Sequence, residues 1–522
     1  MASSRYPHLT WQQTNLGHWE REIDEAERFY MCLAKSYEGS GRMYFAITGF
    51  AHISVEIEDD SAAHIGQNLE DALRYAWLRL RYDHPTIASH TFYDEYQQKW
   101  KKRYTPFHPN DIESHTEEWL EQTFLPISPG WTGLEWCNAD PIAPELPTLF
   151  VITSPNASED DGMLRRDVVI RSPHDIMDGI GTLQILSKLF KVAAHLYAQP
   201  PSSWSPPPSW TPPLPPGSET WNLSAPLRVA AAISPILTLA QQELLQNLIT
   251  ENEALRKNVE ILSVPFKEGA LIPGRHQRIE TALTVSDTAR LLGACKSIGA
   301  TVTHVHHAAI AIAIRDLQKP GTEPRPARCI SHTLINERPN CTGEYAASKH
   351  AATVYHTISG PSLALDFTIP SLTELGTITK DQRQDEFTNL AEQVKSYYHR
   401  IRDSPDSLAL APSCWSMATP HIADPTATET PVPAPNSTPS VGISSMGVID
   451  RIISPRYGAL EIDNPWVSGE ELGTGFGVFL GSWEGSLKVS AVFNDAWHDG
   501  EEVEAFLRRV RGVVWKGLGL DE

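Results

Sequence analysis

The residues whose types and spacing suit chemistry stand together in one stretch, Ser172-Pro173-His174-Asp175-Ile176-Met177-Asp178-Gly179-Ile180-Gly181. A neutral imidazole takes a hydroxyl proton near neutral pH, where a lysine is charged and a carboxylate is too weak a base. His174 is therefore the candidate general base, and Asp178, four residues on, is placed to orient the turn. Gly179 and Gly181 permit a tight backbone, and Pro173 stiffens the approach to it. Residue types alone leave three readings open: a base with its orienting carboxylate, a capped helix start, and a metal pair. The metal reading lacks any further cluster of ligands.

Such a histidine needs rigid neighbours. The apolar run Val168 to Arg171 predicts a strand that ends just before His174, and Leu183, Leu186, Leu189, Phe190, Ala193 and Leu196 form one stripe of a helix just after it. The same reasoning predicts helices over Ile65 to Leu80 and Phe387 to Ile401, and strands over Met43 to Ile57, Leu149 to Thr153, Leu334 to Asn336 and Leu487 to Phe493. Ser286 is expected to precede a short helix carrying Ala289, Leu292 and Cys295, and Thr301 or Thr303 to cap the next, which runs to about Gln318. Helices and strands are interleaved and no repeat of 20 to 50 residues is visible, so the class is α/β and not a solenoid.

Composition sets the outer limits. The 522 residues are 41% hydrophobic and 9% aromatic, enough for a large core. A formal net charge of -21 excludes a general affinity for phosphate backbones or anionic lipid. The 6 cysteines lack the paired spacings of a zinc site or a disulfide framework, which fits a reducing compartment. Without an apolar leader or a membrane-length apolar run, the expected location is the cytoplasm. Of the 40 prolines, nine crowd the stretch from Pro200 to Pro216, which reads as an extended crossover at about 199–217. Ala418 to Ser440, rich in Pro, Thr and Ala, reads as an exposed loop.

His174-Asp175-Ile176-Met177-Asp178-Gly179 resembles the His-x-x-x-Asp-Gly signature of an acyltransferase superfamily. Its members include chloramphenicol acetyltransferase, the plant BAHD enzymes, alcohol acetyltransferases and the condensation domains of peptide synthetases. The resemblance continues in family order from about residue 70 to 510. Leu78 to Ala88 is similar to an early helix end with His84-Pro85. Ala300 to Ala309 is similar to the Thr-rich start of a buried helix, and Asn336-Glu337-Arg338-Pro339 to the family's Asn-x-Arg element. Gly442-Ile443-Ser444-Ser445-Met446-Gly447 is similar to a Ser-Asn-x-Gly strand, with Ser445 in place of Asn. Among fungal branches the segments look most like the trichothecene O-acetyltransferases. The Asp-Phe-Gly-Trp-Gly element of plant BAHD enzymes is absent, Gly475-Phe476-Gly477 being only an echo of it.

The resemblance implies two chloramphenicol-acetyltransferase-like domains, 1–215 with the motif and 216–522, each a mixed sheet with flanking helices, enclosing a tunnel at their interface. It implies a monomer with internal pseudo-symmetry. His174 would deprotonate an acceptor for direct attack on an acyl-CoA, acetyl-CoA by family frequency, with no acyl-enzyme, no metal and no permanently bound cofactor. Asp178 would pair with Arg338 in a structural role beside Gly179, and Ser444 or Ser445 would hydrogen-bond the oxyanion.

Other candidates weigh less. His304 and His307 share a helix face at a spacing that is not that of a zinc protease, so His304, His306 and His307 read as core or tunnel-lining residues. No Gly-x-Ser-x-Gly elbow supports a serine hydrolase, and Trp466, Trp483 and Trp497 fit an apolar acceptor cavity and core packing equally. The expected function is an acyl-CoA-dependent O-acyltransferase acting on a hydroxyl of a hydrophobic secondary metabolite. The alternative is a condensation or cyclisation enzyme, or a metabolite-binding protein, that uses the same tunnel without CoA. Nucleic acid is not an expected partner.

Overall fold

A computed structural model describes residues 5–41, 45–57, 61–154, 162–199, 217–374, 379–427 and 430–521. Two hydrophobic cores organise it. In the first, the helices Ala62–Asp83 and Gly179–Tyr197 pack together over one face of a six-stranded sheet. Its strand order is Arg456–Tyr457, Leu460–Gly469, Ala46–Glu56, Met163–Pro173, Thr148–Ile152, Phe124–Ile127. Val168 and Ile170 point to that helical side, while Val169, with Phe50 and Trp466, enters a small aromatic core on the other. Burial on both faces explains why this strand reads as a continuous apolar run.

The second core lies under the helices Val302–Asp316, Lys380–Arg402 and Gly500–Gly517. They cover a four-stranded sheet ordered His276–Ala282, Ser486–Asn494, Phe476–Trp483, Val441–Val448, and a three-stranded one ordered Leu363–Ile369, Arg325–Ser331, Glu260–Ile261. The strand Leu460–Gly469 crosses back from this half. It pairs antiparallel with Ala46–Glu56, so that Ile462 faces Ile53 and Val467 faces Gly49. A bulge between Asp463 and Trp466, with Asn464 at φ 50°, bends the strand into that position.

The predicted elements are present with bounds that differ by a few residues, some longer and some shorter. Helices occupy Ala62–Asp83 and Lys380–Arg402, and strands occupy Ala46–Glu56, Thr148–Ile152, Met163–Pro173, Leu334–Asn336 and Ser486–Asn494. Met43 and Tyr44 and the proline stretch 200–216 lie outside the described residues. Thr301 caps Val302–Asp316, its hydroxyl accepting from the His304 amide. The cap of Val285–Ser297 is Thr284 and not Ser286, because the Thr284 hydroxyl reaches the Asp287 amide at 3.0 Å. Thr419 to Ser440 carries no helix or strand among its described residues. It is nonetheless anchored on the helix Glu25–Ser36, where Lys35 donates to the Ala427 carbonyl at 2.7 Å.

Several histidines are buried as neutral rings, His84 among them. Desolvation pushes His174 and His307 down to about 3, and His304, His306 and His350 down to about 4. Their folded values lie below the ordinary 6.5, so the stability they allow is present above 6.5 and lost as pH falls, because the unfolded chain takes up the protons first. Thermal melting across pH 7 to 4 is therefore expected to show a continuous fall that begins near 6.5. A plateau down to pH 5 is the opposite result.

Candidate active site

His174 sits in the turn between the strand Met163–Pro173 and the helix Gly179–Tyr197. Its amide donates to the Phe45 carbonyl at 3.0 Å, which holds the turn to the neighbouring strand. Only 8% of the residue is exposed. One ring face is covered by Tyr30, parallel within 4° at a centroid distance of 3.8 Å. Gly469 packs at the ring edge: a Cβ there would stand 3.7 Å from Cδ2 and 3.8 Å from Nε2. Nδ1 is buried without a hydrogen bond of good geometry. Burial and the nearby His356 lower the ring's basicity, only partly offset by its own carbonyl, Asp178 and the Met177 backbone, so the imidazole is neutral at pH 7.

Asp178 performs several tasks with one carboxylate. It caps the helix, Oδ1 accepting from the Gly181 amide at 2.7 Å. Oδ2 pairs with Nη1 of Arg338 at 2.7 Å and accepts from the Tyr355 amide at 2.8 Å. The Asp178 amide donates to the Thr353 carbonyl at 3.2 Å. The turn is thus tied to the chain 338–356 of the other half. Burial alone would raise this carboxyl, but Arg338 and His356 outweigh it and hold it far below the usual carboxylate range.

The two glycines of the motif differ. A Cβ on Gly181 would meet the Ala351 carbonyl oxygen at 2.2 Å, whereas one on Gly179 would meet the Met446 sulfur at 3.2 Å, the end of a flexible side chain. Gly181→Ala is therefore expected to destabilise by about 1 to 3 kcal/mol, the cost of overpacking against backbone, and Gly179→Ala by less. Equal melting temperatures for the two variants would contradict this.

Beneath the turn lies a charge network that sequence reading did not find. Lys102 is fully buried and donates to the Asp175 carbonyl at 2.7 Å and to Glu27 at 2.9 Å, while Arg21 pairs with Glu27 at 2.6 Å. Burial would raise the Glu27 carboxyl, yet Arg21 and Lys102 bring it down to about 2. Nothing in Lys99-Trp100-Lys101-Lys102-Arg103-Tyr104 marks the fourth residue as the inward one except the shared face with buried Tyr104. On the opposite side Arg171 pairs with Glu470 at 2.6 Å, beside Gly469.

A cavity of about 560 Å³ opens on His174, bounded by Tyr30, Phe45, Thr91, Trp100 and Pro425, a size that suits a small molecule. The tryptophans proposed for such a cavity do not line it. Trp466, Trp483 and Trp497 are core residues, each 5% exposed or less, and Trp100 takes that place. A larger groove of about 1170 Å³ between Leu239–Ala254 and Lys380–Arg402 contains none of the motif residues.

The remaining candidates stand apart from the turn's hydrogen bonds. Ser444 is half-buried and Ser445 exposed on the strand Val441–Val448, and Ser445 accepts from the Thr303 hydroxyl at 3.0 Å. The neighbouring Met446 is the residue that touches Gly179. His304 and His307 pack on Tyr398, His307 at 2.9 Å from its hydroxyl, and His306 bonds the Val302 carbonyl at 2.8 Å.

No family model matches the sequence. Curated relatives do match over almost its whole length. O-acetyltransferase pigM of Monascus ruber is 23% identical over 518 residues, 98% of this chain and 88% of that protein. Acetyltransferase pigO of the same fungus is 20% identical, covering 98% of this chain and 99% of its own. Among solved structures, the TRI3 trichothecene 15-O-acetyltransferase from Fusarium sporotrichioides superposes with a TM-score of 0.74 at 18% identity, over 97% of this chain and 98% of that one. The chain shares the fold of these acetyltransferase and condensation-type structures.

The fold is the two-lobed, chloramphenicol-acetyltransferase-like one. An epimerization domain of tyrocidine synthetase shares the fold at a TM-score of 0.56 and 11% identity, over 96% of both chains. The His174–Gly179 turn is touched by chain segments distant in sequence, Arg338 and Tyr355 among them. No helix among the described residues is long and apolar enough to cross a membrane.

Proposed function

We propose that the chain is an acyl-CoA-dependent O-acyltransferase, transferring a short acyl group, acetyl first, to a hydroxyl of a hydrophobic secondary metabolite. One observation carries the reading: a neutral histidine, rigidly held between two lobes, forms part of the wall of a cavity of small-molecule size. The acetyltransferase names of the relatives and the higher superposition on TRI3 than on the epimerization domain support acyl transfer over condensation. We read residues 1–215 and 216–522 as the two lobes, with Leu460–Gly469 exchanged into the first sheet.

In this reading Nε2, which makes no hydrogen bond to the described protein, takes the acceptor proton as the acceptor oxygen attacks the thioester carbon. The tetrahedral oxyanion is stabilised by Ser444 or Ser445, and its collapse expels the CoA thiolate, which recovers the proton. The thioester is already activated, so neither a metal nor an acyl-enzyme is required. Asp178 and Arg338 remain structural.

Purified protein incubated with acetyl-CoA and hydrophobic alcohols should release free thiol faster than hydrolysis does. Thiol release that never exceeds hydrolysis with any acceptor would turn the assignment toward a cyclase or binding protein. Because the base is held neutral, down to about 3, kcat/KM should show no half-loss at pH 6.5 on its acid side, where an ordinary histidine base would lose half. A limb centred at 6.5 contradicts the buried environment.

A further inference from the structure

The partners at the second nitrogen of His174 are weak: its own carbonyl and that of Met177 support the ring without a well-formed hydrogen bond. A histidine base is usually oriented by an acceptor at its second nitrogen, and Nδ1 of His174 has none of good geometry. What fixes the ring is the phenol of Tyr30, stacked flat on it at 3.8 Å. Tyr30 is itself held, because its hydroxyl and Nε2 of His356 are 2.7 Å apart. Nδ1 of His356 then lies 3.6 Å from Oδ2 of Asp178, at ion-pair distance. The Trp415 indole donates to the His356 carbonyl at 3.3 Å and its ring adjoins Tyr30. Tyr30, His356, Asp178 and Trp415 are all buried.

We propose that His356 is a positioning residue of this acyltransferase, which carries the fixed charge of Asp178 to the Tyr30 hydroxyl and so clamps the phenol ring on the face of His174. The proposal rests on the reading of His174 as the base. The carboxylate favours the His356 tautomer with its proton on Nδ1, and only that tautomer offers a bare Nε2 to the Tyr30 hydroxyl. The clamp restrains rotation of the His174 ring. It also lays an aromatic face against the imidazole as that ring becomes cationic on taking the acceptor's proton, an electrostatically favourable contact. Asp178 would thus serve the base through a second route beside its pairing with Arg338.

The test is a double-mutant cycle on the full-length enzyme, with acetyl-CoA and an acceptor that turns over. Tyr30→Phe keeps the stack and removes the hydroxyl, and His356→Leu removes the acceptor. Each should lower kcat about tenfold, the scale of one lost buried hydrogen bond, with KM unchanged, and the double variant should lose no more than either alone. His356→Gln, whose side-chain oxygen accepts the Tyr30 hydroxyl, should recover most of kcat. If His356→Leu does not fold, the comparison of Tyr30→Phe with His356→Gln decides, and equal turnover in the two overturns the proposal.

Wild-type kcat in both single variants overturns it as well. So does a hundredfold loss in the double, which would mean independent roles, or a rise in KM at constant kcat, which would mean acceptor contacts. His174→Ala is assayed alongside. If it is inactive while the His356 variants are normal, the positioning role alone falls. If a folded His174→Ala turns over normally, the base assignment falls and the clamp has no function to serve.

Discussion

His174→Ala is expected to lower acyl transfer by about 10²- to 10⁴-fold, the contribution of a positioned general base, while the protein keeps its far-UV spectrum and its affinity for both substrates. The fold has little reason to notice. The ring's buried Nδ1 makes no well-formed hydrogen bond, so removing it breaks no strong one. The strand and helix on either side are anchored by the Phe45 carbonyl and by Asp178. Single-turnover thiol release with saturating acyl-CoA separates the chemical step from binding. Wild-type-like turnover in a folded variant would dismiss the base.

Asp178→Ala should behave in the opposite way, losing the fold and the activity together. Removing this carboxylate leaves Arg338, 7% exposed, without its buried partner, and breaking such a pair costs about 3 to 5 kcal/mol. The cap on Gly181 and the bond from the Tyr355 amide are lost in the same step. Asp178→Asn, which keeps an oxygen for Gly181, should be intermediate. The folded carboxyl lies far below its ordinary 3.8. Its stabilisation is therefore fully present above that value and is lost as pH falls below it toward the folded pKa. A thermal midpoint for Asp178→Ala equal to that of the wild type at pH 7 would refute the structural role.

Legibility in the sequence followed the range of the interactions. Val168 to Arg171 and the Leu183 to Leu196 stripe are local periodicities, and the strand-turn-helix around His174 was readable because burial repeats within a few residues. The pairing of Asp178 with Arg338 spans 160 residues and came from resemblance, not from pattern. Tyr30 and His356 are 326 residues apart, and neither lies in a motif. For the tryptophans near the C-terminus the sequence left cavity lining and core packing open, because aromatic residue type reports burial and not which cavity a ring borders. Ser286 was expected to precede its helix, yet Thr284 caps it, because either hydroxyl is chemically competent and only backbone geometry separates them.

The sequence by itself determined the α/β class, the strands and helices that carry the motif, and a histidine suited to proton transfer, since these depend on side-chain chemistry and short-period patterning. Only the tertiary structure decided which elements meet at that histidine. Leu460–Gly469 enters the first sheet, Lys102 is buried under the Asp175 carbonyl, and Tyr30 lies on the imidazole face. Those contacts join segments tens to hundreds of residues apart. No local propensity encodes them, and they form because two lobes bury their apolar surfaces and must satisfy every charge enclosed between them.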